Sequence, residues 1–340
     1  MRRLRFPDHA LLFLLPVLLV LSASFSEPAF AEESPPPEAV MEVPPPNRRL
    51  ELYGVGELDW PCGVPFEDPG YAAYDSDGAD RSADVRVEGS PVVWRVGDYP
   101  ILYFFSEEDG ELAAARRIVH VVPQPLPEIT DAPRGTICLT FDDGPSADTA
   151  YLLDVLAKYN VKATFFIVAN HSKNMDILPR IVAEGHTLGI HCYDHRSYEY
   201  LYKDMEHYCS DLLAAQKVVH DYTGRYAHVV RFPGGSRTAN MLTSTLAGKY
   251  PELYGTLADM GIRAYDWTVQ PESATKDTAG TVEAFTHPRE PYEYAVVLLH
   301  DVRRYSVMAA EEMIRWALDE GYTFAALDET FPEIHFDTIS

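Results

Sequence analysis

The chain has 340 residues, 28 of them basic and 52 acidic, for a formal net charge of −24. That length allows two domains and a sizeable core, and a hydrophobic content of 46% excludes a disordered chain. The charge speaks against nucleic acid or an anionic lipid surface as partner, and four cysteines are too few for a disulfide-built scaffold.

The N-terminus reads as a secretory signal peptide over residues 1–31. Arg2, Arg3 and Arg5 precede an apolar run from Ala10 to Leu21, and Ala29-Phe30-Ala31 is a small-x-small cleavage signal. The apolar run is short and broken by Pro16, so no stable membrane insertion is expected after cleavage; an uncleaved anchor is the alternative. Residues 32–49, with Pro35-Pro36-Pro37 and Pro44-Pro45-Pro46, read as an extended linker.

From residue 50 to 123 short strand-like runs alternate with turn signals. Ala83 to Val87 alternates apolar and polar, and Ile118 to Val122 is also strand-like. The pattern predicts a small β-sandwich. Asp75 and Asp77 offer a calcium site or, more simply, a turn held by their own backbone. Residues 124–133 are a second proline-rich linker, across which few contacts are expected.

From residue 134 to 340 strands and helices alternate, which implies a parallel sheet covered by helices. Predicted strands are Thr136–Leu139, Ala163–Val168, Thr187–Ile190, Val229–Val230, Arg263–Trp267 and Ala295–Leu299. Predicted helices are Thr149–Tyr159, Ile177–Glu184, Tyr202–Tyr222, Leu242–Met260 with an interruption at Pro251, and Met308–Glu320. Chemistry-bearing residues fall where strands end: Asp142-Asp143, His191-x-x-x-His195, Arg231-Phe232-Pro233-Gly234-Gly235, Asp266-Trp267, and Leu298-Leu299-His300-Asp301. Ligands bind at that rim in β/α folds. Adjacent strand residues point opposite ways, so Asp142 and Asp143 need a loosened backbone to share one site. His191 and His195 with a carboxylate make a two-His, one-carboxylate set suited to a divalent transition metal.

Read together and in order, these five motifs resemble those of the polysaccharide deacetylases, the NodB-homology or carbohydrate esterase family 4 enzymes. The run Phe66 to Gly78, followed by Val96 to Tyr103, resembles a bacterial immunoglobulin-like surface domain. The resemblance implies a distorted β/α barrel behind an all-β immunoglobulin-like sandwich. It assigns Asp143, His191 and His195 to the metal, Asp142 to the catalytic base, and the Gly234 N–H to the oxyanion. Zinc is the expected metal, with cobalt, manganese or nickel as alternatives. Where the family usually has Ser or Thr and Pro after the two histidines, this chain has Cys192 and Arg196.

His300 is then the candidate acid, Asp266 the carboxylate expected to hold its imidazole, and Arg231 the cation expected to keep Asp142 ionised. Trp267 and Leu298 are expected to line a pocket for the acetyl methyl. The reading is a secreted or wall-associated monomer that deacetylates a polysaccharide, first of all N-acetylglucosamine in peptidoglycan. Chitin oligomers and O-acetylated xylan are alternative substrates, and a non-catalytic wall-binding protein is the alternative class. Free thiols are expected, with Cys192 and Cys209 the pair to test for a bridge.

Overall fold

The computed structural model describes residues 48–106, 112–170, 173–237, 250–273 and 276–336. The expected signal peptide, nearly all of the first linker, and residues 242–249 of one expected helix lie outside them. Among the described residues no helix is long and apolar enough to cross a membrane.

The N-terminal part is built from two small sheets. Strand β1 (Arg49–Leu52) pairs antiparallel with β3 (Tyr71–Tyr74), while β2 (Glu57–Pro61), β4 (Arg86–Glu88), β5 (Gly97–Ser106) and β6 (Leu112–Val122) form a second sheet in the order β2-β6-β5-β4. Alternate residues of β5 and β6 turn inward, Ile101, Tyr103 and Phe105 against Val119 and Val121, as a half-buried sheet requires. The alternation over Ala83–Val87 yields a strand only from Arg86. Ser82–Asp84 forms a 3-10 turn instead. There the Asp80 carboxylate accepts from the Ser82 N–H and hydroxyl, a local bond that competes with strand pairing. Asp75 closes a turn of the same kind, accepting from the N–H groups of Asp77 and Ala79.

The C-terminal part is a parallel sheet. Its strands are β7 (Thr136–Gly144), β8 (Thr164–Val168), β9 (Thr187–Cys192), β10 (Val229–Val230), β11 (Arg263–Ala264) and β12 (Tyr294–His300), in the order β11-β10-β9-β8-β7-β12. A short β13 (Thr323–Phe324) joins the start of β7. Strands buried on both faces read as continuous apolar runs, and β8 is buried throughout. The sheet curls into an incomplete barrel with helices outside. They are α1 (Thr149–Lys158), α2 (Leu178–Ala183), α3 (Tyr198–Leu201), α4 (Met205–Thr223), α5 (Tyr250–Asp259), α6 (Thr278–Thr286) and α7 (Arg304–Asp319).

The helix expected over Tyr202–Tyr222 begins only at Met205, where Asp204 caps its start, and Ser197 caps the separate short helix α3 before it. Gly224, with φ 69°, ends it as expected. Pro251 does not interrupt a described helix. It sits in the first turn of α5, where a missing N–H costs nothing. Helix α6 is an element that the sequence pattern did not reveal.

The linker across which few contacts were expected is tied down on both sides. The Gln124 N–H donates to the Asp259 carbonyl, and its side-chain amide donates to the carbonyls of Cys62 and Met260. Farther on, Thr130 bonds Thr330, and Arg263 bonds the Pro127 carbonyl. Cys62 and Val121 share one buried apolar cluster with Met260 and Cys209. All four cysteines are buried and free.

Candidate active site

The β7 strand delivers two carboxylates to one place. Its pairing with β8 slips between Asp142 and Gly144, and Asp143 takes the left-handed conformation with φ 68°. That bulge adds the missing half-turn, so both side chains reach the same cleft. Gly144 is required next. A Cβ there would lie 2.3 Å from Asp301 Oδ2, and Asp301 accepts from the hydroxyls of Ser146 and Thr149, fixing the turn after the strand.

His191 leaves the end of β9, and His195 follows on the loop behind it. His191 Nε2 lies 3.5 Å and His195 Nε2 3.8 Å from Asp143 Oδ1. One ligand atom from each of the three residues falls within 4.8 Å of the others. His191 Nδ1–H donates to the Arg231 carbonyl at 2.7 Å, which leaves Nε2 unprotonated toward the cluster. Burial keeps this imidazole neutral, pushing its pKa down to about 3. Asp143 Oδ1 is buried and has no hydrogen-bond partner. An orphaned carboxylate oxygen facing two imidazole nitrogens fits a divalent cation.

Arg231 is fully buried behind the cleft. Its Nη1 donates to Asp142 Oδ1 at 2.9 Å and to the Thr140 hydroxyl, while Nε and Nη2 donate to the carbonyls of Tyr265 and Asp266. It was expected to hold Asp142 ionised, and it does oppose protonation. Burial outweighs it, however, and the net shift of Asp142 is upward.

Asp266 does not hold His300. Its carboxylate accepts from the N–H and hydroxyl of Ser236 and from the Phe336 N–H, so it locks the loop after Gly235. The carboxylate on His300 is Glu272, from a 3-10 turn at Pro271–Ser273. Glu272 Oε2 accepts from His300 Nδ1 at 2.6 Å, and Oε1 accepts from the His300 N–H at 2.8 Å. Arg303 and the Ser306 hydroxyl donate to it as well. Burial alone would raise the Glu272 pKa, but these donors outweigh it and hold the group below its usual range.

The resulting cleft has a volume of about 470 Å³ and is lined by Asp142, Asp143, His191, His195, Gly234, Trp267, Leu298 and His300. Arg231 and Asp266 stand behind it. Tyr198, Gln270 and Arg303 also line it, and the sequence pattern pointed to none of them. His300 Nε2 lies 4.0 Å from Asp143 Oδ2, so the imidazole faces the metal-type cluster across the cleft.

Residues 130–252 match the polysaccharide deacetylase family, and residues 50–121 match the immunoglobulin-like domain of bacterial surface proteins. A peptidoglycan-N-acetylglucosamine deacetylase of Bacillus cereus is 32% identical over 209 residues, covering 58% of this chain and 70% of the relative. The corresponding Listeria monocytogenes enzyme is 28% identical over 211 residues, 61% of this chain and 41% of its own length. The chain thus spans about two-fifths of that relative. The catalytic domain of a peptidoglycan N-acetylglucosamine deacetylase from Eubacterium rectale superposes with a TM-score of 0.55 at 32% identity, over 62% of this chain and 96% of that one. Fold, site and relatives together define a carbohydrate-acting amide hydrolase. The chain belongs to the polysaccharide deacetylase family, with an immunoglobulin-like domain ahead of the deacetylase fold.

Proposed function

We propose that the protein is an exported, metal-dependent deacetylase that removes the N-acetyl group from N-acetylglucosamine in peptidoglycan. The observation that carries this is the orphaned Asp143 oxygen between His191 and His195, set in one cleft with a carboxylate-bound histidine. The relatives' substrate and the surface-type domain support the wall as the place of action.

Asp143, His191 and His195 would hold the metal. When bound, a divalent ion would supply polarisation of an amide carbonyl and would bring the pKa of a water toward ~7 in favourable cases. Asp142 has one oxygen on Arg231, which leaves Oδ2 to take a proton from the attacking water. His300 has Nδ1 committed to Glu272, which leaves Nε2 to deliver a proton to the departing nitrogen. The C–N bond then breaks to give a free amine and acetate. The Gly234 backbone, on the cleft wall, is the candidate donor to the oxyanion. Trp267 and Leu298 shape the wall for the acetyl methyl.

The test is acetate release from peptidoglycan, chitin oligomers and acetylated xylan, with zinc or cobalt supplied. Release from peptidoglycan above the other two supports the reading. No release from any of them with metal bound overturns it.

A further inference from the structure

The proton transfers leave one cation on the cleft wall unused. Arg303 lies three residues after His300 and lines the cleft beside Gln270 and Leu298. One arm, Nη1, donates to Glu272 Oε2 at 2.6 Å. A guanidinium carries five N–H donors in a rigid fork. Among the described residues nothing else accepts from this one, and its side chain is 39% exposed. Glu272 already receives His300 Nδ1, the His300 N–H and the Ser306 hydroxyl, so Arg303 is not its sole support. In a chain of net charge −24, a cation held at the mouth of the cleft offers little to a neutral polymer. To a carboxylate it offers a two-point contact.

We propose that Arg303 reads a carboxylate on the sugar next to the one being deacetylated, so that the cleft selects an anionic glycan over a neutral one. The proposal rests on the deacetylase reading and names its substrate class. Where N-acetylglucosamine alternates with muramyl residues, every neighbouring sugar carries a lactyl ether. Its carboxyl is either free or joined to a peptide with carboxylates of its own. Chitin and xylan backbones offer no such group.

The experiment compares the full chain with Arg303→Gln on three soluble substrates at low salt. They are a chitin tetramer, a muramyl-containing strand stripped of peptides, and the same strand bearing its peptides. The parent is expected to favour at least one carboxylated strand over chitin, and added salt to erode that preference. Arg303→Gln is expected to lower kcat/KM on that strand about 10- to 100-fold more than on chitin, as the loss of a charged hydrogen bond predicts. The two carboxylated strands tell the lactyl group from the peptide carboxylates. Equal losses on chitin and on both carboxylated strands mean that Arg303 acts only through Glu272, and overturn the proposal. If no substrate releases acetate, it is the deacetylase reading that fails. Calorimetric binding of the same three oligomers then decides the Arg303 assignment alone, and equal affinities for parent and variant refute it.

Discussion

Replacing Glu272 by Gln keeps the side chain's shape and removes its charge. Four donors converge on this carboxylate: the His300 N–H and Nδ1, Arg303 Nη1 and the Ser306 hydroxyl. An amide can still accept at one atom, but its NH2 must face a donor at the other. The His300 ring then loses a charge-assisted bond of roughly 1.5–3 kcal/mol. If His300 is the acid proposed above and that bond orients it in the transition state, kcat should fall about 10- to 100-fold. Metal content should not change, because Glu272 is not among the Asp143, His191 and His195 cluster. The assay is acetate release under saturating substrate, with elemental analysis of the same samples. Asp266→Asn is the control that gives the experiment its force. That carboxylate serves Ser236 and Phe336, so its loss should lower thermal stability more than it lowers kcat. An unchanged kcat in Glu272→Gln, with a large loss in a fully folded Asp266→Asn, would refute the assignment of Glu272 as the residue that positions His300.

Three further outcomes are expected. The parent should hold one transition metal per chain, while His191→Ala and Asp143→Asn should lose it by elemental analysis; zinc should raise the Tm of the parent alone. His186 is buried, accepts the Ala163 N–H at Nδ1, and has its pKa pushed down to about 4 by burial. A depressed folded pKa gives stability that is present above the unfolded value of 6.5 and is lost as pH falls toward 4. Urea unfolding between pH 7 and 4 should therefore show a loss of up to about 3 kcal/mol that His186→Gln reduces. Gln124→Ala removes two bonds that tie the β-domain to the deacetylase fold and should cost about 1–3 kcal/mol by thermal or urea unfolding.

Much of the site was legible because its chemistry clusters at strand ends. Asp142 and Asp143 were adjacent on a strand and needed a break to act together; the break is the bulge at Asp143. The histidine pair lay at a spacing that one loop can gather. Glu272 was not legible, because it sits in a three-residue turn without periodicity, whereas Asp266 stood beside a tryptophan at the end of a predicted strand. Nothing local says which of two carboxylates, six residues apart, bends back to His300. That is decided by the path of the chain from β11 to α6. The net shift of Asp142 was hidden for a related reason: the Arg231 partner could be named from the sequence, but its burial could not. The prolines of residues 124–133 suggested a linker with few contacts across it, yet Gln124 and the apolar cluster around Cys62 and Met260 bind the two parts together.

Arg231 has a mechanical meaning beyond its charge. It leaves the end of β10, yet its guanidinium grips Thr140 and Asp142 on β7, three places away in the sheet order. Neighbouring strands lie ~4.8 Å apart, so the path along the sheet is about 14 Å. No single side chain covers that distance on a flat sheet. The arginine is the chord of an arc, and it can be tied only while the arc stays bent. Its carbonyl also orients His191. One residue therefore fixes the curvature, aims the His191 ring and steadies Asp142. A lysine in its place would keep the charge but gather its donors on one nitrogen, so the distance between Asp142 and His191 would drift although neither had been touched.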